Sequence, residues 1–359
     1  MTASATSSEL ETVNVLVMAP FLGTDLSFVG DVDPRIRVLD GNAAYLAEVQ
    51  AQGLSTLSDA PDQGTLPSLE ERGALLARAD VLLISHPVLS HVASRAPRLR
   101  WVHHTQAGVS NLWDSDLWDS EIMLTSSRGF VAAASIAQYV IAGVLFFARG
   151  LYDASLDKRT GQVDRSHYQT NHLQGATIGI VGLGGIGREV ARFARGFSMR
   201  VVATRASIQS PKRDADGADL ILPADRLDEV AAQSDFLAIC AQLTQETKGL
   251  VNRRVFATMK PSAVLINVSR GELVDEDALI EALRSGRIRG AVLDVYQGEL
   301  EGKPPRTELM ELPQVLLTSH ISGGGADRET ATKDLFRQNL RRFLDGGSLV
   351  NVVDRVRGY

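Results

Sequence analysis

Short apolar runs rich in β-branched residues alternate with amphipathic or alanine-rich stretches along this chain. That alternation predicts an α/β protein built from βαβ units with doubly wound parallel sheets. A length of 359 residues suggests two domains, each large enough for its own core. The alternation also restarts midway, at a glycine-rich turn, as expected of a second domain.

The first series offers strands at Val13–Met18, Ile36–Leu39, Val81–Ser85, Trp101–His104 and Ile122–Thr125. Helices Ala43–Gln52 and Leu69–Ala79 fall between them. Val131–Ala148 follows without a formal charge. It has the length to span a bilayer, but its alanines, Ser135, Gln138 and Gly143 make it only mildly apolar, so a buried helix is expected. The second series offers strands at Thr177–Val181, Arg200–Thr204, Phe236–Cys240, Ala263–Val268, Ala291–Val295 and Val315–Thr318. Helices Gly187–Gly196 and Asp275–Ser285 lie in its gaps, and Arg328–Leu344 closes the series as a helix with a charged face.

A net charge of −6 leaves no basic footprint for nucleic acid. The single cysteine, Cys240, ends an apolar run and reads as a buried thiol in a reducing compartment, the cytoplasm. Met1–Glu11 has neither a basic start nor an apolar core, and reads as a loose tail rather than a signal peptide. No cluster has metal-ligand spacing.

Gly182-x-Gly184-x-x-Gly187 lies between an apolar strand and a helical pattern. Gly182 permits a tight turn, Gly184 lets the backbone approach a pyrophosphate, and Gly187 lets helix and strand pack closely. The pyrophosphate would meet the positive end of the helix. A dinucleotide is therefore the expected cofactor. The acidic residue that holds a ribose about 20 residues on is missing, and Arg205 stands in its place. A guanidinium suits a 2′-phosphate, with Ser207 as a second donor, so NADP(H) is favoured over NAD(H). The alternative is a solvated arginine that discriminates little.

In open α/β sheets ligands bind at the carboxyl ends of the strands. Arg270, Glu299 and His320 follow three successive strands at that edge. His320 can exchange a proton with a carbonyl oxygen that receives hydride. Glu299 would orient the ring, and Arg270 would hold a carboxylate and the developing oxyanion.

These residues resemble the D-isomer-specific 2-hydroxyacid dehydrogenases, a family that includes glyoxylate/hydroxypyruvate reductases and phosphoglycerate dehydrogenases. Ile266-Asn-Val-Ser-Arg270-Gly-Glu-Leu-Val-Asp-Glu, Gly290-Ala-Val-Leu-Asp294-Val-Tyr-Gln-Gly-Glu299 and Leu317-Thr-Ser-His320-Ile-Ser-Gly match the segments bearing the family's Arg, Glu and His. Thr105-Gln-Ala-Gly-Val109 resembles its carboxylate loop, which implies substrate contacts at Ala107, Gly108, Val109 and Arg270. Leu243–Thr247 resembles the loop covering the cofactor, and Asn339-Leu-Arg-Arg-Phe and Asn351-Val-Val-Asp also match. The implied cofactor contacts are Gly182, Leu183, Gly184, Gly185, Ile186, Gly187, Thr204, Arg205, Ser207, Ala241, Thr247, Val268, Ser269, Asp294, His320 and Gly323, with Asp294 on the nicotinamide amide.

The resemblance implies a Rossmann cofactor domain at 129–321 and a discontinuous flavodoxin-like substrate domain at 1–128 and 322–359, with the site in the cleft. It implies a D-specific reductase of a small 2-oxo acid, and a homodimer in which Trp113 and Trp118 are candidate contacts. Ser319, Leu300 and Gln242 replace usual prolines, and Gln138 replaces a common acid. One of His103 and His104 is a candidate for the pocket, since strand alternation sends them to opposite faces. His86 is a similar case. The rival reading is a dinucleotide-sensing, corepressor-like binding protein; Glu299 speaks against a formate-type enzyme.

Overall fold

Apolar runs become parallel strands where helices can cover both faces of a sheet, and the chain does this twice. The computed structural model describes residues 11–53, 66–129, 131–161, 163–164, 166, 168, 170–325 and 327–358; the tail Met1–Leu10 lies outside the described residues. Two compact units result, Met1–Val131 with Ala326–Tyr359, and Ala132–Gly325.

The first unit contains β1 (Val13–Met18), β2 (Ile36–Asp40), β3 (Val81–Ile84), β4 (Trp101–His104) and β5 (Met123–Ser126). They pair in parallel in the order β2-β1-β3-β4-β5, the flavodoxin-like order. Every residue of β3 and β4 is buried. The helix Arg328–Leu344 belongs to this unit and buries Thr332, Leu335, Phe336, Asn339 and Leu340. That three-and-four spacing is one helical stripe. Phe336 stacks on the fully buried Trp101, with ring centroids 5.3 Å apart. Asn339 takes part in the same packing by pairing with both backbone groups of Val350, at 2.7 and 3.0 Å.

The second unit contains β6 (Thr177–Val181), β7 (Arg200–Arg205), β8 (Lys212–Ala215), β9 (Ala218–Pro223), β10 (Phe236–Ile239), β11 (Val264–Asn267), β12 (Gly290–Leu293) and β13 (Val315–Leu317). Their order is β13-β12-β11-β10-β6-β7-β9-β8. The order reverses at β6, which has β7 on one side and β10 on the other. The glycine loop leaves β6 at this switch point, where doubly wound sheets bind ligands. The helix Ala133–Ala148 packs in this core, with Gly143 close against Val292. Among the described residues no single helix is long and apolar enough to cross a membrane. Cys240 lies just past β10, and burial pushes its thiol up to about 12.

Three elements depart from the expectation: the strands β8 and β9 and one helix. The sheet is not purely parallel, because β8 pairs antiparallel with β9 at its edge. Lys212–Ala215 carries no apolar alternation and is largely exposed, so its pattern gives no strand signal. The Asp216-Gly217 pair between the two strands is a hairpin signal in its own right. An additional helix, Leu151–Thr160, follows Gly150 and buries only Tyr152 among its residues.

Candidate active site

The glycine loop has the geometry its spacing implies. Gly182 has φ +94°, and a Cβ there would come 2.7 Å from the Ala241 backbone. A Cβ on Gly187 would come 2.4 Å from the Gly182 carbonyl oxygen. Gly184 is exposed, and a Cβ there would meet nothing within 4 Å. It precedes the helix Gly185–Gly196, so the helix N-terminus opens onto free space. A pyrophosphate fits such a cradle. Leu183 is buried and offers only its backbone, while Gly185 and Ile186 form the first helical turn. Thr204 is buried too. Its hydroxyl accepts from Gly182 N at 3.3 Å and its carbonyl from Leu183 N at 2.9 Å, so it braces the loop from behind.

The other expected cofactor contacts divide by exposure. Arg205 ends β7 and Ser207 is exposed just beyond it. Ala241 is half-buried, and its carbonyl accepts from the Ser269 hydroxyl. Val268 is buried and Gly323 half-buried. Thr247 turns into its own loop, accepting from Thr244 N at 2.7 Å and donating to the Gln242 carbonyl at 2.8 Å.

β11, β12 and β13 are neighbours in register, with Asn267 beside Leu293 and Leu293 beside Leu317. Their outgoing loops therefore lie side by side. These loops carry Arg270, Glu299 and His320. Asn267 is buried and holds the first loop, donating to the Arg270 carbonyl at 2.9 Å and accepting from Ser269 N at 3.1 Å. Arg270 Nη1 donates to the Ser269 carbonyl at 2.8 Å, while its buried Nε has no hydrogen-bond partner among the described residues. Burial lowers the pKa of this guanidinium, with Glu299 and Glu272 opposing; arginine remains charged throughout.

Glu299 opens a 3₁₀ turn after Gly298, at φ +82°. Its side chain is almost buried. His320 Nδ1 lies 2.7 Å from Glu299 Oε1, and the His320 side chain is 42% exposed. The distance is that of an ion pair, yet Glu299 Oε1 accepts no aligned hydrogen bond in this conformation. His320 has φ +52°, a region that non-glycine residues rarely occupy and that tends to mark functional sites.

Three further residues support these loops. Gly271 is one: a Cβ there would come 2.0 Å from the Tyr296 carbonyl carbon, so the Arg270 loop presses directly on the Glu299 loop. Glu276, whose pKa burial raises, accepts from Gln297 N at 2.8 Å and steadies that second loop. Tyr139 is the third. Its hydroxyl lies 2.5 Å from Thr318 Oγ1, which donates to Asp294 Oδ1 at 2.7 Å. Since the Thr318 proton is engaged by Asp294, Tyr139 is the donor in the first bond.

Asp294 is fully buried. Oδ1 also accepts from Ile321 N at 2.8 Å, Oδ2 accepts from Ser322 N at 2.9 Å, and the Asp294 carbonyl accepts from His320 N at 2.8 Å. Its carboxylate therefore anchors the His320 loop. The apolar run before Asp294 announces a strand end but not the direction of the side chain.

In the first unit, Ala107 and Gly108 are half-buried and Val109 is buried. Their loop is tied down by Ser127 N to the Gln106 carbonyl at 3.0 Å and by Arg328 to Gln106 Oε1 at 3.2 Å. His103 is wholly enclosed, with Nδ1 2.8 Å from Thr125 Oγ1. His104 and His86 converge on Asn111 Nδ2, at 3.3 and 2.9 Å. Trp113 and Trp118 pack edge to face, with centroids 6.4 Å apart. Among the described residues no group of His, Cys, Asp and Glu is placed to hold a metal ion.

Residues 141–322 match the family described as D-isomer specific 2-hydroxyacid dehydrogenase, NAD binding domain. The chain is 33% identical over 273 residues to a glyoxylate reductase of Pyrococcus furiosus, covering 74% of this chain and 79% of that one. It is 29% identical over 279 residues to a D-3-phosphoglycerate dehydrogenase of Methanocaldococcus jannaschii, covering 77% of this chain but 52% of the relative. It thus spans about half the length of that protein. A solved D-isomer specific 2-hydroxyacid dehydrogenase from Xanthobacter autotrophicus, in complex with NADPH and MES, superposes with a TM-score of 0.73 at 25% identity, over 97% of this chain and 100% of the other. On the family match and the identity to the Pyrococcus enzyme, the chain belongs to the D-isomer specific 2-hydroxyacid dehydrogenase family, with a nicotinamide dinucleotide as cofactor.

Proposed function

We propose that this family member reduces a small 2-oxo acid of the glyoxylate or hydroxypyruvate type to the D-2-hydroxy acid, preferring NADPH to NADH. The observation that carries the reading is the pairing of His320 with Glu299 at 2.7 Å, in strand-end loops beside Arg270. The bound cofactor supplies hydride to C2. His320 gives the carbonyl oxygen its proton, and takes it back in the reverse direction. Glu299 orients the imidazole and balances its charge. The unpartnered Nε of Arg270 receives the substrate carboxylate or the developing oxyanion. The backbone of Ala107–Val109 is the first unit's candidate hold for a carboxylate, and the first unit is the substrate-binding domain in this reading. Arg205 and Ser207 take the 2′-phosphate.

Glyoxylate reductases recur among the relatives, as in Pyrococcus furiosus and Thermococcus litoralis, and this supports the substrate class. The working form in this proposal is a homodimer. The test is oxidation of NADPH and NADH against a panel of 2-oxo acids, with His320→Ala beside the wild type. General acid–base groups contribute about 10²–10⁴-fold, so turnover of one small oxo acid should collapse by that factor in the variant. Cofactor binding without turnover of any acid in the panel would replace this reading with that of a dinucleotide sensor.

A further inference from the structure

The edge hairpin of the second unit reaches the residue assigned to the 2′-phosphate. β8 and β9 are joined through Asp216 and Gly217, and Asp216 Oδ2 accepts from Arg205 Nη1 at 2.7 Å. Nη1 uses one of the five guanidinium donors; the others have no partner among the described residues. Both side chains are about one-third exposed, so the pair sits at the solvent edge, open to an incoming anion. Asp216 has φ +50°, and Asp214 two residues earlier has φ +48°. The turn thus holds its carboxylate out on left-handed backbone, a conformation that aspartate and asparagine tolerate better than most residues.

A 2′-phosphate carries the same sign of charge as Asp216 and calls on the same guanidinium. Binding the phosphate therefore means either breaking the existing pair or placing two anions around one cation. A dinucleotide with a free 2′-hydroxyl incurs neither cost. The hairpin is also an addition at the sheet edge: β7 already pairs with β9, and β8 hydrogen-bonds to β9 alone. Retaining Asp216 is thus separable from forming the dinucleotide fold.

We propose that Asp216 is a specificity-determining residue that competes with the cofactor 2′-phosphate for Arg205 and so restrains the preference for NADPH over NADH. The proposal rests on Arg205 being the 2′-phosphate contact. Asp216 does not touch the reacting atoms; it acts through Arg205. An exposed ion pair of this kind is worth about 0.2–1 kcal/mol, or about 1.4- to fivefold in affinity.

The test uses the full chain and two half-ligands that need no turnover, adenosine 2′,5′-bisphosphate and 5′-ADP, with binding measured by calorimetry. Asp216→Asn suits the turn, since asparagine accepts left-handed backbone. It should tighten the 2′,5′-bisphosphate about two- to fivefold and leave 5′-ADP unchanged, with KM for NADPH falling and kcat constant. In an Arg205→Ala background the same change should lose most of its effect. Unchanged or weaker binding of the 2′,5′-bisphosphate to Asp216→Asn would overturn the proposal, and weaker binding would make Asp216 a brace for Arg205. Arg205→Ala alone separates the two levels. If it leaves 2′,5′-bisphosphate binding intact, the assignment of Arg205 fails and the proposal with it. If it weakens that binding while Asp216→Asn changes nothing, only the role of Asp216 fails.

Discussion

His103 and His320 each sit at the carboxyl end of a parallel strand, one in each unit, and their surroundings separate them. His103 is enclosed among Trp101, Phe336 and Thr125, and burial pushes it down to about 3. Thr125 Oγ1 accepts from Trp101 Nε1 at 2.8 Å, lies 2.8 Å from His103 Nδ1, and is 3.5 Å from the Val102 carbonyl, to which it donates. The other ring nitrogen, Nε2, lies 3.4 Å from Ser127 Oγ. His320 stands past its strand on left-handed backbone, 42% exposed, with a carboxylate at 2.7 Å. A histidine that must exchange protons needs access and a charged partner; a packed one needs neither. Residue type and strand-end position do not distinguish the two, and the first unit's carboxyl edge shows why each histidine there had to be weighed separately.

The sharpest break of this comparison is to remove each ring in turn. His320→Ala should cost about 10²–10⁴-fold in kcat while leaving the denaturation midpoint close to that of the wild type, because the side chain buries little. His103→Ala should do the reverse. A buried ring lost to alanine costs roughly 2–5 kcal/mol in stability, and kcat of the folded enzyme should stay within a few-fold. Urea denaturation and initial rates on the same preparations decide it. A loss of rate in His103→Ala at full stability would put that histidine in the site.

What the sequence made legible follows the same division. Arg270, Glu299 and His320 were visible because each follows an apolar strand run, and the glycine loop because its spacing sits between strand and helix. The helix Arg328–Leu344 was visible from its stripe. The supporting roles of Asn267, Gly271, Glu276 and Tyr139 were not, since their work is to hold one loop against another, and that depends on which strands become neighbours. Tyr139 in particular lies in an apolar helix where an aromatic reads as packing. The hold of Asp294 on the His320 loop emerges only once β12 and β13 are paired. The strand β8 escaped because an exposed edge strand has no need of apolar alternation, and the apolar β9 beside it was missed with it.

Gly271 offers the next test, now between a residue that touches the reacting groups and one that only spaces them. An added Cβ would meet the Tyr296 and Gln297 backbone at 2.0 and 2.3 Å, and backbone cannot yield as a flexible side chain does. Gly271→Ala should therefore push the Arg270 and Glu299 loops apart. Misplacement by about 1 Å costs on the order of 10²-fold in rate, and the loss should fall on kcat with 5′-ADP binding retained. A variant with wild-type kcat would show that the two loops adjust independently.

The smallest effect is a pH dependence that belongs to His103 alone. Its pKa is about 3 in the folded protein against 6.5 for the ordinary side chain. Above about pH 6.5 the ring is neutral in both folded and unfolded chains and contributes no slope. As pH falls below that value, the unfolded chain takes up a proton that the folded one refuses, so stability declines by up to about 1.4 kcal/mol per pH unit until about pH 3. Between pH 7 and pH 5 this amounts to about 2 kcal/mol, before most carboxylates titrate. His103→Asn keeps a polar group beside the Thr125 hydroxyl but has nothing to protonate. Its stability, measured by urea denaturation at pH 7, 6 and 5, should be lower at pH 7 and should fall less steeply than that of the wild type. Parallel curves for the two proteins would mean that His103 takes its proton in the folded state, and the contrast with His320 would then rest on access alone.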